Sequence, residues 1–374
     1  MYRIGFDAKR LFNNFTGLGN YSRTLVRNLS EYYPEEAYFL FSPKVKRNEE
    51  THFFSENTMF HVETPRKTKG FYWRSWGMKN DLTRHKIDLY HGLSHEIPFG
   101  IKKTGIPTVV TIHDLIFKHY PDQYSWIDRQ IYDYKFRYAC ENADHIIAIS
   151  ESTKNDIIQF YHIPSEKITV IYQSCHERFM KERPPKALKK IRKKYNLPNH
   201  FLLYVGSLIE RKNLLGIVDA LAQLPKDLCL PLVIIGQGDA YKKRVIALAK
   251  KKNVLDQLIF LKPDFEDFPA LYQLAEIFLY PSYFEGFGIP VLEALFSQTA
   301  VITSTFSSLP EAAGDGAILL DPADTKAMAD AIIKLLTDAN FAQHLVTKGL
   351  AHAQIFQGER LTHQLMDCYQ LLLD

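Results

Sequence analysis

The stretch Phe284-Glu285-Gly286-Phe287-Gly288-Ile289-Pro290-Val291-Leu292-Glu293-Ala294-Leu295 follows an apolar run, Ile277 to Tyr280, that predicts a buried parallel strand. Gly286 and Gly288 allow the backbone to pass very close to another group. Pro290 suits the first position of a helix, because its missing N–H costs nothing there. The stretch therefore predicts a strand, a glycine loop and a helix N-terminus, whose N–H groups and positive dipole end make an anion site.

Two carboxylates bracket this glycine loop. Glu285 stands before it, and Glu293 follows in the first turn of the predicted helix. Considered alone, the pair is explained by a solvated glutamate in a turn and a helix-favouring glutamate near a positive dipole end. With the glycines and Pro290 in place, the block resembles the signature of retaining GT-B glycosyltransferases, above all glycosyltransferase family 4.

The resemblance implies a role for each part of the block. Glu293 would accept hydrogen bonds from ribose hydroxyls of a nucleotide, whereas Glu285 would hold hydroxyls of the donor sugar. Backbone amides at the helix N-terminus would face the diphosphate. The residues of this block that are predicted to contact the donor are Phe287, Gly288, Ile289, Val291, Leu292 and Glu293.

A second block places two cations before a helix. In Val205-Gly206-Ser207-Leu208-Ile209-Glu210-Arg211-Lys212-Asn213, an apolar strand enters a loop that ends with an adjacent arginine and lysine. An exposed basic pair is the alternative to a diphosphate site. The family has a similar loop, in which Gly206 matches a donor contact and Lys212 a phosphate-binding cation. Many members carry arginine directly after the glycine, where this chain has Ser207, so Arg211 must reach the same phosphates from a different Cα.

The first half of the chain offers two further candidate elements. Thr16-Gly17-Leu18-Gly19-Asn20-Tyr21 follows the first strand and predicts a loop before a helix from Tyr21 to Tyr32. Ser22 breaks the dinucleotide pattern G-x-G-x-x-G, which counts against a nicotinamide enzyme. A flexible surface loop is the alternative. In the resembling family this glycine loop lies against the donor diphosphate and the acceptor, so Gly17 and Gly19 are predicted contacts.

His113 ends the apolar run Thr108 to Ile112 in the sequence Thr111-Ile112-His113-Asp114. A side chain at the carboxyl end of a parallel strand faces the ligand crevice. A histidine that is hydrogen-bonded within its loop is the alternative. The family has a His-Asp pair here, with the histidine near the donor sugar. The predicted catalytic set is therefore His113, Arg211, Lys212 and Glu285. Ser150, in a Ser-Glu-Ser turn that also resembles the family, is interpreted as a helix cap.

Size and composition fit a two-domain globular protein. The chain has 374 residues, of which 46% are hydrophobic and 24% charged. No apolar segment is long enough for a transmembrane helix, and the N-terminus runs directly into a strand, so no signal peptide is expected. The net charge of +4 is compatible with anionic substrates or lipid head groups, and no nucleic-acid partner is predicted. The four cysteines lack metal-ligand spacing.

Strands alternate with helices along the whole chain, which predicts parallel sheets with helices on both faces. Residues 181–354 are predicted to form a nucleotide-sugar-binding domain. Residues 1–180, with a returning C-terminal helix in 355–374, are predicted to form an acceptor-side domain. Arg183-Pro184-Pro185 is the expected linker. The fold class is α/β, with two Rossmann-like, doubly wound domains of the GT-B type.

The aromatic and basic stretch Phe71-Tyr72-Trp73-Arg74-Ser75-Trp76 has three possible explanations. It could stack on sugars, meet a membrane surface, or form a buried helix face, which is favoured.

The resemblance thus implies a retaining glycosyltransferase that moves a hexose from a nucleotide-diphosphate sugar to a glycan or lipid-linked acceptor hydroxyl. The mannosyltransferase-type members are most similar, which favours GDP-mannose as the donor. No Asp-x-Asp motif is evident at a strand end, so no metal and no other cofactor is expected. The alternatives are a GT-B sugar-nucleotide epimerase and a catalytically silent sugar-nucleotide-binding protein. A cytoplasmic location is expected, with peripheral contact to the cytoplasmic face of the membrane as an option.

Overall fold

The computed structural model describes residues 1–65 and 70–374. The chain forms two compact units, one of Met1–Ser174 with Phe356–Asp374 and one of Cys175–Ile355. The segment Glu177–Met180, which the sequence analysis assigned to the first domain, lies in the second unit. Phe179 explains this placement, because its ring packs against Tyr272 with 5.7 Å between centroids.

Thirteen parallel strands build two separate sheets within the described residues. They are β1 (Arg3–Asp7), β2 (Ala37–Phe41), β3 (Phe60–Glu63), β4 (Leu89–Gly92), β5 (Thr108–Ile112), β6 (His145–Ala148), β7 (Ile168–Val170), β8 (Leu202–Val205), β9 (Leu232–Ile235), β10 (Leu258–Leu261), β11 (Ile277–Tyr280), β12 (Ala300–Ser304) and β13 (Ala317–Leu320). The strand order is β3-β2-β1-β4-β5-β6-β7 in the first unit and β10-β9-β8-β11-β12-β13 in the second. Both orders reverse once, as in doubly wound sheets.

The helices lie between the strands and close the chain. They are α1 (Lys9–Asn13), α2 (Gly17–Tyr32), α3 (His52–Glu56), α4 (Gly70–Tyr72), α5 (Met78–Arg84), α6 (Ile116–His119), α7 (Trp126–Asn142), α8 (Glu151–Tyr161), α9 (Pro185–Lys194), α10 (Leu214–Leu221), α11 (Asp239–Lys251), α12 (Phe268–Leu274), α13 (Ile289–Phe296), α14 (Leu309–Ala313), α15 (Thr325–Thr337), α16 (Ala339–Ala353) and α17 (Gly358–Leu373). Trp73–Gly77 forms a π-helical turn between α4 and α5. The predicted cap is confirmed, since the Ser150 hydroxyl accepts from the Thr153 N–H at the start of α8.

The last helix, α17, packs within the first unit. Its apolar face supplies Leu361, Leu365 and Met366 to the core that also contains Ile4 of β1 and Val26 of α2. The spacing of these side chains along α17 places them on one face, which explains why this helix needs a partner surface.

In the second sheet, the topology brings the two predicted donor-binding loops together. β8 pairs with β11, with Leu202 opposite Ile277, and the strand order reverses between these two strands. The loops that follow them, 206–213 and 281–288, therefore leave the sheet side by side at its carboxyl edge. Ligands bind at such a switch point in open α/β sheets. The predicted fold class is confirmed.

Candidate functional site

Glu285 is a buried carboxylate that holds two cations on one of its oxygens. Lys212 Nζ lies 2.7 Å from Glu285 Oε1, and Arg211 Nη1 lies 3.0 Å from the same atom. The Ser282 hydroxyl lies 2.6 Å from this oxygen. The three charged side chains are only 10–11% exposed. The structure thus joins three of the four predicted catalytic residues in one cluster, with two positive charges facing one negative charge.

The charges in this cluster shift one another's pKa values. Burial would raise the pKa of Glu285, but Lys212 and Arg211 outweigh burial and lower it. Burial lowers the pKa of Lys212, and Glu285 acts against that change. A charge interaction is stronger in such a water-poor site than at the surface. The excess positive charge is therefore well suited to a further anion, such as a phosphate.

Arg211 also joins the two loops. Its carbonyl accepts from the Tyr283 N–H at 2.9 Å, and its guanidinium donates to the Phe284 carbonyl. These contacts fix the backbone just before Glu285 relative to the loop that carries the cations. The arginine is therefore part of the site although it does not directly follow the loop glycine.

Tyr280 and Ser308 complete the cluster and were not predicted. Lys212 Nζ lies 4.6 Å from the centroid of the Tyr280 ring and donates to its hydroxyl. The Ser308 hydroxyl lies 2.8 Å from the Glu285 carbonyl and 2.9 Å from the Phe287 carbonyl. Tyr280 is the last residue of a strand that enters the glycine loop, and this position was the available signal.

Packing or backbone conformation requires glycine at two positions near this edge of the sheet, Gly288 and Gly236, but not at Gly206. Gly288 has φ of +115°, and a Cβ added there would lie 2.9 Å from the Leu309 side chain. Beside Gly206 a Cβ would find only ordinary contacts at 3.5 Å and beyond. A Cβ on Gly236 would lie 1.9 Å from the Gly206 carbonyl oxygen. Tight packing at this edge therefore depends on Gly236, whereas the donor contact of Gly206 stays a prediction.

Helix α13 begins one residue earlier than predicted, at Ile289, with Pro290 second. The Val291 N–H donates to the Gly288 carbonyl at 2.9 Å, and the Leu292 N–H approaches the same oxygen at 3.4 Å. These two amides, which were assigned to a diphosphate, thus have a partner within the helix. The donor contacts of Phe287, Ile289, Val291 and Leu292 stay predictions.

Glu293 lies in an environment that differs from that of Glu285. It accepts a hydrogen bond from the Tyr272 hydroxyl at 2.9 Å. Burial raises the pKa of Glu293 to about 7, although Tyr272 and Arg178 act in the opposite direction. Glu293 therefore changes charge near neutral pH, whereas Glu285 stays ionised. Two carboxylates whose pKa values are pushed apart are suited to different roles.

We expect Glu293→Gln to remove part of the pH dependence of stability. The folded-state pKa of Glu293, about 7, lies above the ordinary value of 4.5. The stability that this proton provides is therefore complete below the ordinary pKa and is lost as pH rises through the folded one. Between about pH 5 and pH 8, the wild type should lose about 2 kcal/mol relative to the variant. Denaturant unfolding of both proteins measures this difference, and identical pH dependences would contradict it.

In the first unit, Gly17 and Gly19 belong to a helix and not to a loop. Helix α2 starts at Gly17, because the Thr16 carbonyl already accepts from the N–H groups of Gly19 and Asn20 at 3.0 Å. A Cβ on Gly19 would lie 1.7 Å from the Asn14 carbonyl oxygen, whereas Gly17 faces open space. The predicted loop is thus wrong. Packing against Asn14 explains Gly19, and the ligand contacts of both glycines stay predictions.

His113 is buried at the end of β5, and its ring is hydrogen-bonded on both sides. The Leu93 carbonyl lies 2.9 Å from Nε2, and a carbonyl can only accept, so Nε2 carries the proton. Nδ1 then accepts from the Gln173 amide at 3.1 Å. Burial lowers the pKa of His113 to about 4, so the ring is neutral. The geometry favours the loop-bonded alternative, and the contact with a donor sugar stays a prediction.

Within residues 1–65 and 70–374, no group of three or more histidine, cysteine, aspartate or glutamate side chains could hold a metal ion. No helix in the same ranges has the length and hydrophobicity that a bilayer crossing requires.

Two family models match the chain, one in each unit. The model of Glycosyltransferase Family 4 matches residues 15–175, and that of Glycosyl transferases group 1 matches residues 188–352. The second match contains the cluster around Glu285 together with Glu293.

Two mannosyltransferases of Escherichia coli are among the similar proteins. O-antigen chain mannosyltransferase B is 26% identical over 401 residues, which cover 99% of this chain and 100% of that protein. The serotype-specific mannosyltransferase WbdA is 31% identical over 304 residues. That match covers 77% of this chain but only 36% of WbdA, so the matched region is about a third of the length of that protein.

Among solved structures, a glycosyltransferase from Rickettsia africae ESF-5 has a similar fold. The TM-score is 0.79 at 16% identity, over 100% of this chain and 99% of the other. At this level of identity the likeness concerns the fold alone, and it agrees with the two doubly wound sheets.

Proposed function

The chain belongs to the glycosyltransferases that combine a Glycosyltransferase Family 4 domain with a glycosyl transferases group 1 domain, and on this premise we propose that it is a retaining mannosyltransferase. The donor is GDP-mannose, and the acceptor is a hydroxyl of a glycan or of a lipid-linked saccharide. The observation that carries the proposal is the buried pair Arg211 and Lys212 at the switch point, held by Glu285.

The chemistry of the transfer explains why two buried cations are needed. The bond between the anomeric carbon and the terminal phosphate oxygen breaks, with its electron pair going to that oxygen. The acceptor hydroxyl oxygen bonds to the carbon, and its proton passes to the departing phosphate. Negative charge builds up on the departing diphosphate. Preorganised cations that are shielded from water stabilise such charge most effectively, because they need no reorientation during the reaction. Glu285 holds both cations in place beside the loop.

The choice of mannose rests on the relatives. O-antigen chain mannosyltransferase B matches over the full length of both chains, and WbdA is a mannosyltransferase as well. We assign the ribose contact to Glu293 and the contact with sugar hydroxyls to Glu285, because the resemblance to the family implies these roles for the two positions.

The two rival activities leave distinct products. An epimerase would convert the donor in the absence of an acceptor, whereas a silent binding protein would bind nucleotide without transfer or hydrolysis. A thermal-shift comparison of GDP, UDP, ADP and dTDP identifies the base. At a hundredfold excess over Kd, the preferred nucleotide should stabilise the protein by about 3 kcal/mol. If GDP has no larger effect than the other three, the proposed donor is wrong.

We expect mannosyl transfer to continue in EDTA. In this proposal, Arg211 and Lys212 supply the positive charge that many other transferases take from a divalent ion. The measurement is transfer from GDP-mannose to a soluble mannoside acceptor, with and without chelator. Activity that disappears with EDTA and returns with Mg²⁺ or Mn²⁺ would contradict this role of the two cations.

We also place the reaction in the cytoplasm, where nucleotide sugars are available, with the acceptor bound by the first unit. A lipid-linked acceptor would bring the enzyme to a membrane surface.

A further inference from the structure

The sheet of the first unit has a switch point of its own. Its strand order reverses between β1 and β4, as the order of the second sheet does between β8 and β11. Strand β4 pairs with β1 on one side and with β5 on the other. The loops that follow these three strands therefore leave the sheet side by side at its carboxyl edge, where ligands of open α/β sheets bind.

Two adjacent cations, Lys9 and Arg10, follow β1 at this switch point. Asp7 ends the strand, and its carboxylate accepts from the Lys9 N–H at 3.1 Å, which fixes the chain where the two cations begin. Both cationic side chains are half-buried. Among residues 1–65 and 70–374, neither side chain finds a hydrogen bond or an ion pair. Charges that are withdrawn from water are normally paired, so this pair lacks a partner that the described chain does not supply.

The two carboxylates that act on Lys9, Asp7 and Glu96, are already neutralised by other cations. Arg74 lies 2.5 Å from Asp7 Oδ2 and 2.7 Å from Glu96 Oε2, and Lys135 lies 2.8 Å from the same Glu96 oxygen. Burial, and after it the charge of Arg74, lowers the pKa of Lys9, although Glu96 and Asp7 act in the opposite direction. A bound anion would relieve this unfavourable environment of the ammonium group.

Arg10 acts on the loops that follow β4 and β5. Burial above all, and in addition the charge of Arg10, lowers the pKa of His113 to about 4, whereas the Leu93 carbonyl acts in the opposite direction. Burial, and after it the charges of His113 and Arg10, lowers the pKa of His95. The two imidazole rings lie 5.1 Å apart between centroids. Arg10 therefore belongs to the same edge as His113, the histidine that the resemblance places near the donor sugar.

The net charge of this edge is positive even when a third carboxylate is counted. Asp114 follows His113, and it accepts from the Ile116 N–H at 3.1 Å. Three carboxylates then stand against four cations, which are Lys9, Arg10, Arg74 and Lys135. The histidines at this edge are neutral, because burial lowers their pKa values. The group that this edge binds most strongly is therefore an anion.

An arginine beside a lysine is well suited to phosphate. The planar guanidinium can donate two parallel hydrogen bonds to phosphate oxygens, and the ammonium adds a compact charge. The diphosphate of the donor is already assigned to Arg211 and Lys212 in the second unit. The anion of the first unit is therefore assigned to the other substrate, the acceptor.

We propose that Lys9 and Arg10 bind the phosphate of the acceptor, a saccharide that is joined to its lipid through a phosphate or diphosphate. The pair then selects an acceptor that still carries phosphate over a neutral glycan of the same sugar. This inference rests on the proposed function in that the first unit binds the acceptor.

The test compares two soluble acceptors that differ only in phosphate, an α-mannoside joined to a hexyl chain through a diphosphate and the hexyl α-mannoside. The wild type should have a KM at least about tenfold lower for the diphosphate acceptor, because charged hydrogen bonds to phosphate favour its binding. Lys9→Gln/Arg10→Gln should raise that KM by about 10–100-fold. The KM values of hexyl mannoside and of GDP-mannose should not change.

Lys102→Gln/Lys103→Gln is the matched control. These two lysines are also adjacent, but they are exposed in the turn Ile101–Thr104, which precedes β5 and so lies away from the carboxyl edge. The control removes the same amount of positive charge from the first unit. It should use both acceptors like the wild type, which separates a specific site from an effect of net charge.

Calorimetry gives a readout that needs no transfer. The hexyl diphosphate mannoside is titrated into protein that is saturated with GDP, so that the diphosphate site of the second unit is filled. Lys9→Gln/Arg10→Gln should bind this acceptor at least about tenfold more weakly than the wild type and bind GDP equally well. Binding of the acceptor without any mannosyl transfer would refute the proposed function but not this site.

Four results would overturn the proposal. They are equal KM values of the two acceptors in the wild type, an unchanged preference for diphosphate in the folded double variant, a loss of GDP affinity in that variant, and an equal preference for a mannoside that carries a carboxylate. The third result would place the cations at the donor, and the fourth would make the site a general anion site. If the double variant does not fold, the first result still decides, because it uses the wild type alone.

Discussion

Lys212→Ala should lower turnover by about 10²–10³, which corresponds to a loss of roughly 3–4 kcal/mol of transition-state stabilisation. Lys212 is buried beside Glu285 and above the Tyr280 ring, at the carboxyl edge of β8. An ammonium in this position faces the negative charge on the departing diphosphate, and this charge is larger in the transition state than in the bound donor. Nucleotide affinity should therefore fall less than turnover, because the ground state carries less of that charge. Steady-state kinetics and calorimetry measure the two effects.

Lys212→Arg should not restore full activity. A planar guanidinium cannot occupy the place of a compact ammonium between Glu285 and the Tyr280 hydroxyl, where the lysine fits. Arg211→Ala should also reduce turnover, and it removes the contacts with the Phe284 carbonyl and Glu285 as well. This variant therefore tests both charge and loop geometry.

The control for Lys212 is Lys252→Ala. Lys252 belongs to the same unit and lies 2.8 Å from Asp219, but it is 42% exposed, so its loss should cost at most about 1 kcal/mol of stability. Melting temperatures of all variants identify any folding defect. If folded Lys212→Ala keeps more than about half of the wild-type turnover, the cation is not at the leaving group.

The sequence was sufficient to predict that Arg211, Lys212 and Glu285 lie in one site, because the sheet topology brings their loops together. Two strands that pair in parallel deliver their following loops to one edge, so Arg211 and Glu285 could be expected to meet although they are distant in the chain. The bonding within the cluster could not be predicted. That one carboxylate oxygen accepts from Ser282, Arg211 and Lys212 depends on the turn after Tyr280, which no periodicity encodes.

In the first unit, the edge strand of the sheet and the first residue of helix α2 were not predicted correctly. Strand β3, Phe60–Glu63, was missed because it is a short edge strand with alternating polar residues and so lacks an apolar run. The start of α2 was placed at Tyr21 because Gly17 and Gly19 favour a loop. Packing of Gly19 against Asn14 overrides that local preference.

The exposure of an amphipathic segment was the hardest property to predict. Phe71–Trp76 combines four aromatic residues with Arg74 and Ser75, so its sequence does not define which side is buried. In the structure Trp73, Arg74 and Ser75 are buried, whereas the other three are exposed. The ion pairs of Arg74 could not be predicted from the sequence either, because its partners Asp7 and Glu96 lie on other elements. These pairs have a large expected effect on stability.

Arg74→Met should destabilise the first unit by about 3–5 kcal/mol, because it leaves buried charges without their partner. The Arg74 guanidinium lies 2.5 Å from Asp7 Oδ2 and 2.7 Å from Glu96 Oε2, and Lys135 lies 2.8 Å from the same Glu96 oxygen. Asp7 is 1% exposed. Burial would raise the pKa of Glu96, but Arg74 and Lys135 outweigh it and lower the pKa to about 2.

The destabilisation caused by Arg74→Met should depend on pH, because the ion pair requires Glu96 to be ionised. The folded-state pKa of Glu96 lies below its ordinary value of 4.5, so the pair stabilises the protein above that value and the contribution is lost as pH falls toward 2. The gap between the wild type and Arg74→Met should therefore narrow in acid. Denaturant unfolding at neutral and acidic pH measures it, and a constant gap would exclude an ionic origin.

A double variant separates lost charge from lost packing. Asp7→Asn combined with Arg74→Met should be less destabilised than the sum of the two single variants, because neither partner then remains buried and unpaired. Arg84→Ala is the control, since this arginine also contacts two carboxylates but is 43% exposed and should cost at most about 1 kcal/mol. If Arg74→Met unfolds like Arg84→Ala, the buried ion pairs do not hold the segment around Arg74 in place.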